Sequence, residues 1–185
     1  MEAVDATQTA VARWVIDPTH SDVGFSVRHM MITKVKGRFS DVEGYIEFHE
    51  ADLTGAKIEV DVKTASVDTR QEQRDNHLRS ADFFDAERYP VMRFISKRVE
   101  ETGKNRYRVV GDLTIRDVTR EVELEATFDG IHPDPWGNLR AGFSATGQVN
   151  RHDFGLNWNQ AIEGGGVVVG DTVQISLDVE AVKQA

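Results

Sequence analysis

The sequence predicts an all-β fold, an eight-stranded antiparallel up-and-down barrel with a helical insertion near 69–89. Three observations carry this. Apolar and polar residues alternate along most of the chain, the period of a strand with one wet face. Gly, Pro, Asn and Asp punctuate the runs at short intervals, so consecutive strands pair antiparallel. The alternation fails over only two long stretches, 69–89 and 153–171.

Taken in order, residues 1–12 read as a small polar tail, and 13–183 as a single domain. A first strand near 13–29 carries Val23, Phe25 and Val27 on one face. The second, near 34–48, holds Phe39 and Tyr45-Ile46-Glu47-Phe48, with a less regular phase around Gly44. Asp52-Leu53-Thr54-Gly55 is the expected turn into a strand near 55–65, where Ile58, Val60 and Val62 alternate. Over 69–89, Thr69 and Glu72 have capping-box spacing, and Pro90 requires the helix to end before it. Leu78, Ala81, Phe83 and Phe84 give this insertion an apolar end suited to covering a barrel mouth.

Met92 and Phe94 mark a strand near 91–101, and Tyr107, Val109, Leu113 and Ile115 one near 105–116. Arg116-Asp117 permits a tight hairpin into 118–131, where Val118, Val122, Leu124, Ala126 and Phe128 share a face and Arg120 is the misfit. The strand near 138–151 carries Phe143, Ala145 and Val149. The last, near 171–183, alternates Val173, Ile175, Leu177, Val179 and Ala181 with polar residues. The long connection 153–171, which contains Gly164-Gly165-Gly166, is the natural rim or lid. Closure removes edge strands and leaves an interior for side chains or one small ligand. An open two-layer sandwich has the same periodicity.

The chain has 185 residues, a formal net charge of −9 and no Cys. Its size fits one domain with a sizeable core. The acidic balance argues against sequence-independent nucleic-acid binding, which needs excess cations. Lack of Cys removes disulfides, thiolate metal sites and Cys nucleophiles. There is no run apolar enough for a transmembrane helix, and the first residues lack the basic and apolar regions of a secretory signal. A cytoplasmic protein is therefore expected.

No motif announces catalysis. The six His residues lie on separate elements without metal-ligand spacing, so neither a metal nor a cofactor is expected. Arg70, Arg74, Asp75, His77 and Arg79 cluster on the insertion, but positions 75 and 77 do not face one another on a helix, whereas Asp75 and Arg79 can form an ordinary ion pair. The glycine run lacks the Lys-Ser/Thr and following helix of a phosphate loop. Charge is uneven: 41–61 holds seven acids against Lys57, whereas 70–98 holds seven bases against five acids. An anionic headgroup, if the ligand has one, would be expected beside the insertion, and an ordinary solvated face accounts for the charge equally well. Strand parity selects Phe25, Val27, Val60, Val62, Met92 and Phe94 as cavity lining, together with Val109, Leu113, Phe143 and Val149. His29, Arg74 and His77 are the candidates for polar contacts to a ligand.

The run His20-Ser21-Asp22-Val23-Gly24-Phe25-Ser26-Val27-Arg28-His29-Met30 resembles the opening motif of the YceI-like family of polyisoprenoid-binding, lipocalin-like proteins. Val35-Lys36-Gly37-Arg38-Phe39, Arg74-Asp75-Asn76-His77-Leu78, Asp82-Phe83-Phe84-Asp85 and Tyr89-Pro90 with Phe94 continue it in order. Gly111 to Thr119 and Asn150-Arg151-His152-Asp153-Phe154-Gly155-Leu156 complete the set, so the resemblance covers about 13–183. It implies a lipocalin-like barrel whose elongated cavity holds an isoprenoid or similar amphiphile, no catalytic residues, and a homodimer as a common assembly. Family members are often periplasmic, which the leaderless N-terminus here does not match. Asp117 stands where the family usually has Gly, and Val42 where an aromatic is common.

The expected function is that of a binding or carrier protein for a long-chain isoprenoid, of quinone or polyprenyl phosphate type. Two other classes stay open: a small-molecule enzyme using Asp75 and His77, and a solidly packed barrel acting as a stress-related interaction module.

Overall fold

The computed structural model describes residues 10–160 and 166–185. The polar tail thus falls mostly outside the described residues, as do Gly164 and Gly165 of the rim segment. Ala12 already belongs to the first strand.

The strands are β1 (Ala12–Ile16), β2 (Asp22–His29), β3 (Thr33–Phe39), β4 (Val42–His49), β5 (Asp52–Lys63) and β6 (Val67–Asp68). After one helix, α1 (Glu72–Arg79), come β7 (Val91–Gly103), β8 (Arg106–Ile115), β9 (Val118–Pro133), β10 (Leu139–Asn150) and β11 (Val169–Lys183). All pairings are antiparallel, and each strand from β7 to β11 pairs with the next. The long β11 closes the barrel, pairing with β2 over Asp178–Val173 and with β1 over Lys183–Ala181. A sandwich is excluded by this closure.

The eight expected strands are present; those near 13–29 and 34–48 are each broken in two, and β6 lies beyond the strand expected near 55–65. A 3-10 turn at Pro18–His20, capped by the Asp17 side chain accepting from the Thr19 amide, divides β1 from β2. A corner at Ser40-Asp41 divides β3 from β4, and a 3-10 turn at Thr64–Ser66 divides β5 from β6. Each break lets a curved sheet bend while the inward face stays apolar. The turn expected at 52–55 lies earlier, since His49 pairs with Asp52 and Asp52 is already in β5. At the β8–β9 hairpin the left-handed residue is Arg116 (φ 56), so Asp117 occupies a position that makes no demand for Gly.

The insertion is less helical than the capping-box spacing implies. Arg70 has φ 64, which no helix accommodates, so α1 begins two residues later. Gln71 is the cap, its side chain accepting from the Arg74 amide. Thr69 instead donates its amide and hydroxyl to Asp75 Oδ1 at 2.8 and 2.5 Å. The expected Asp75–Arg79 ion pair is therefore absent: Arg79 donates to the carbonyls of Ala65 and Val67 and to Asn76 Oδ1. Beyond Ser80 the chain continues in turns to Pro90.

Candidate ligand-binding cavity

The barrel encloses a cavity of about 810 Å³. That volume lies within the roughly 300–1,000 Å³ of small-molecule sites. On β10 its lining runs from Phe143 to Val149. Six residue steps at about 3.3 Å give a length of roughly 20 Å along that strand.

The far end is closed by aromatic rings. Trp14, fully buried, stacks on Phe48 at 5.2 Å, and Phe48 meets Phe143 and Phe128 edge-on at 5.7 and 6.3 Å. The opposite end is built from α1, the ends of β2 and β10 and the start of β11. The pairs His29–Val169 and Asn150–Thr172 place those strand ends side by side. Phe83 from the insertion and Trp158 from the segment after β10 pack under α1, with His77 edge-on to both rings at 5.1 and 4.5 Å. Gly37 on β3 keeps space for the Phe25 ring, which a Cβ there would overlap.

All ten apolar residues selected by strand parity line this cavity, as do His29, Arg74 and His77. The polar groups lie at the α1 end. Arg74 donates Nε and Nη2 to the hydroxyl and carbonyl of Thr69, at 2.7 and 2.8 Å. His77 Nε2 is 2.8 Å from Asp82 Oδ2 and Asp75 faces Thr69, so the two residues of the enzyme alternative are engaged apart.

Sequence reasoning missed Arg151 as a cavity residue. It is 3 % exposed, and its guanidinium donates to the carbonyls of Gly170, Leu156, Trp158 and Val169 at 2.6–3.2 Å. Burial pushes its pKa down from the usual guanidinium value, and Asp171 acts only through space, without an ion pair. The signal was available: Arg151 shares parity with Phe143, Ala145 and Val149, so an unbroken β10 would turn a charge inward. Beside it, His152 Nδ1 and Nε2 lie 2.8 and 2.7 Å from Asn157 Oδ1 and Asp171 Oδ1, contacts that raise the imidazole pKa.

The charge of the lining is one-sided. Arg28, Arg74, Arg93 and Arg151 line the cavity, and no Asp or Glu does so among the described residues. Arg93 is neutralised outside the wall by Asp61 at 2.7 Å; the other three have no carboxylate partner among the described residues. In a chain of net charge −9, this is a local inversion of sign.

The family model for the YceI-like domain matches residues 14–181. The chain belongs to the YceI-like family. A UPF0312 protein of Pseudomonas putida is 39% identical over 183 residues, covering 98% of this chain and 92% of that protein. One from Staphylococcus epidermidis is 37% identical over 171 residues, covering 92% and 97%. Among solved structures, the Campylobacter jejuni YCEI protein superposes with a TM-score of 0.74 at 35% identity, over 91% of this chain and 96% of that one. Burkholderia cenocepacia BcnA shares the fold with a TM-score of 0.79 at 23% identity, over 90% and 99%. So does a polyisoprenoid binding domain from Saccharophagus degradans, TM-score 0.70 at 15% identity, over 95% and 100%.

Proposed function

We propose that this barrel binds a long-chain isoprenoid or similar amphiphilic lipid bearing an acidic headgroup, of polyprenyl phosphate type, and acts as its carrier. The observation that carries the reading is the cavity wall, apolar along its length and cationic without acids at one end. An apolar chain gains from burial along the strands, at roughly 25 cal/mol per Å² removed from water. A phosphate at that end meets half-buried Arg74 and buried Arg151, with exposed Arg28 at the rim, and charge-assisted hydrogen bonds are strongest where water is excluded. The polyisoprenoid-binding description of the Saccharophagus relative in fold supports the same ligand class. The YceI-like family and the separate engagement of Asp75 and His77 support binding rather than catalysis.

Displacement of a fluorescent fatty-acyl probe by matched isoprenoids tests the headgroup. A polyprenyl phosphate is expected to compete about tenfold better than the polyprenol or an isoprenoid quinone, one charge-assisted contact being worth about 1.5–3 kcal/mol. Arg74→Gln is expected to remove most of that preference while leaving polyprenol binding unchanged. Equal competition by all three compounds contradicts the acidic headgroup, and failure of all three contradicts the isoprenoid.

A further inference from the structure

The β2–β3 hairpin breaks three local rules at once. Met30 and Met31 have φ 50 and 62, and the Ile32 amide donates to the His29 carbonyl at 3.1 Å. These are the marks of a type I′ turn, whose central positions favour Asn and Gly and disfavour long side chains. The tip is apolar yet open to solvent: Met31 is 63% exposed and Ile32 74%. On the outward face of the same hairpin, Arg28 and Lys34 are direct cross-strand partners, a like-charge juxtaposition that destabilises a sheet. Lys36 lies one step further along that face.

Arg38 is paired with Asp22 at 3.5 Å, whereas Arg28, Lys34 and Lys36 have no ion-pair partner among the described residues. Asp171, in the irregular stretch of β11 near Arg28, is held by His152. An exposed apolar tip backed by three uncompensated cations is poorly adapted to water and well adapted to a bilayer interface, where apolar groups enter the headgroup layer and cations meet lipid phosphates. The feature is also placed at the cavity opening. Arg28 and His29 line the cavity, and the Met30 amide donates to the Val168 carbonyl at the start of β11. At the closed aromatic end, by contrast, cations are compensated: Arg13 pairs with Glu47 at 2.6 Å and Lys183 with Glu50 at 3.0 Å. The uncompensated cations of the hairpin give a local positive patch beside the cavity opening, which favours an anionic surface despite the net negative charge.

We propose that the β2–β3 hairpin docks the open end of the barrel on an anionic lipid surface. Met30, Met31 and Ile32 enter the interface, and Arg28, Lys34 and Lys36 engage phosphates. This places the cavity mouth at the membrane without a spanning segment. The docking rests on the hairpin alone and goes beyond the identity of the cavity ligand.

Co-sedimentation of the full chain with vesicles tests it, comparing phosphatidylcholine alone with phosphatidylcholine containing phosphatidylglycerol. The expected result is sedimentation with the anionic vesicles only, weakened as salt is raised. Lys34→Gln with Lys36→Gln is expected to weaken binding about 30-fold, each basic residue near the surface contributing about fivefold. Met30→Asn with Met31→Gly supplies the residues that the turn favours, so it folds at least as well by thermal melt while losing vesicle binding. Wild-type protein that ignores both vesicles or binds both equally overturns the proposal. So do tip variants that bind like wild type, or a lipid-free dimer that the tip substitutions dissociate. Displacement of the cavity probe, measured on the same variants without vesicles, stays at wild-type strength, so failure of docking and failure of the ligand reading are separate results.

Discussion

Arg151 shows how much of the cavity's opening depends on one side chain. Its four carbonyl acceptors are Leu156 and Trp158 in the segment after β10 and Val169 and Gly170 at the start of β11, so the guanidinium, itself next to the end of β10, ties those two pieces to it. Arg151→Met leaves those carbonyls without their donor in a buried site, and unfolding in denaturant is expected to show a loss of at least about 3 kcal/mol. His152 fastens the same segment from outside. Its folded pKa is raised by Asn157 and Asp171, so this contribution is complete below the unfolded value of about 6.5 and is lost as pH rises through the folded pKa. Proton NMR titration is expected to place His152 above an ordinary imidazole, and Asp171→Asn to bring it down. At the closed end Trp14 is fully buried against Phe48. Trp14→Ala is expected to cost about 3–5 kcal/mol, read by the same denaturant midpoint.

Among the elements, the strands were legible and their breaks were encoded less openly. Inward residues are Trp14 and Ile16 on β1 but Val23, Phe25 and Val27 on β2, a switch from even to odd positions that only a break can produce. The same switch separates Phe39 on β3 from Val42, Ile46 and Phe48 on β4. A single long strand read through those points hides the corners. The helix length was not legible, because the left-handed Arg70 and the Thr69–Asp75 bonds depend on packing against the barrel rather than on local spacing. Arg140 secures one of the breaks. It bonds Asp17 at 2.8 Å and Asp134 at 2.9 Å, joining the 3-10 turn after β1 to the β9–β10 connection.

The Arg140 guanidinium holds Asp17 far below the ordinary carboxylate range. Burial pushes Asp134 up, but the Asn138 amide, Arg140 and the Trp136 amide outweigh it and set its carboxyl at about 2. Both folded values lie below the unfolded one, so the stabilisation is complete above about pH 4 and fades as pH falls toward the folded values. Acid unfolding followed by circular dichroism is expected to begin at higher pH in Arg140→Gln than in wild type.

For the whole molecule, period-two alternation specified the inward face of most strands, β1 and β4 excepted, and the ten apolar positions it selected all line the cavity. What periodicity does not encode is whether the interior fills with side chains or stays open. That depends on volumes summed around a closed wall, and here about 810 Å³ remains. A solidly packed interaction module does not have such a space. Nor does periodicity show that the cations gather at one end, since Arg28, Arg74 and Arg151 come from three elements that only the closed barrel assembles. The charge count of −9 conceals this arrangement, in which Arg28, Arg74 and Arg151 have no carboxylate partner among the described residues.

Extraction of the purified protein with organic solvent, followed by lipid mass spectrometry, reads the cavity's occupant directly. A stoichiometric long-chain isoprenoid carrying a phosphate is the result this account predicts. Protein that carries no apolar molecule, and takes up no polyprenyl phosphate when it is offered, would contradict it.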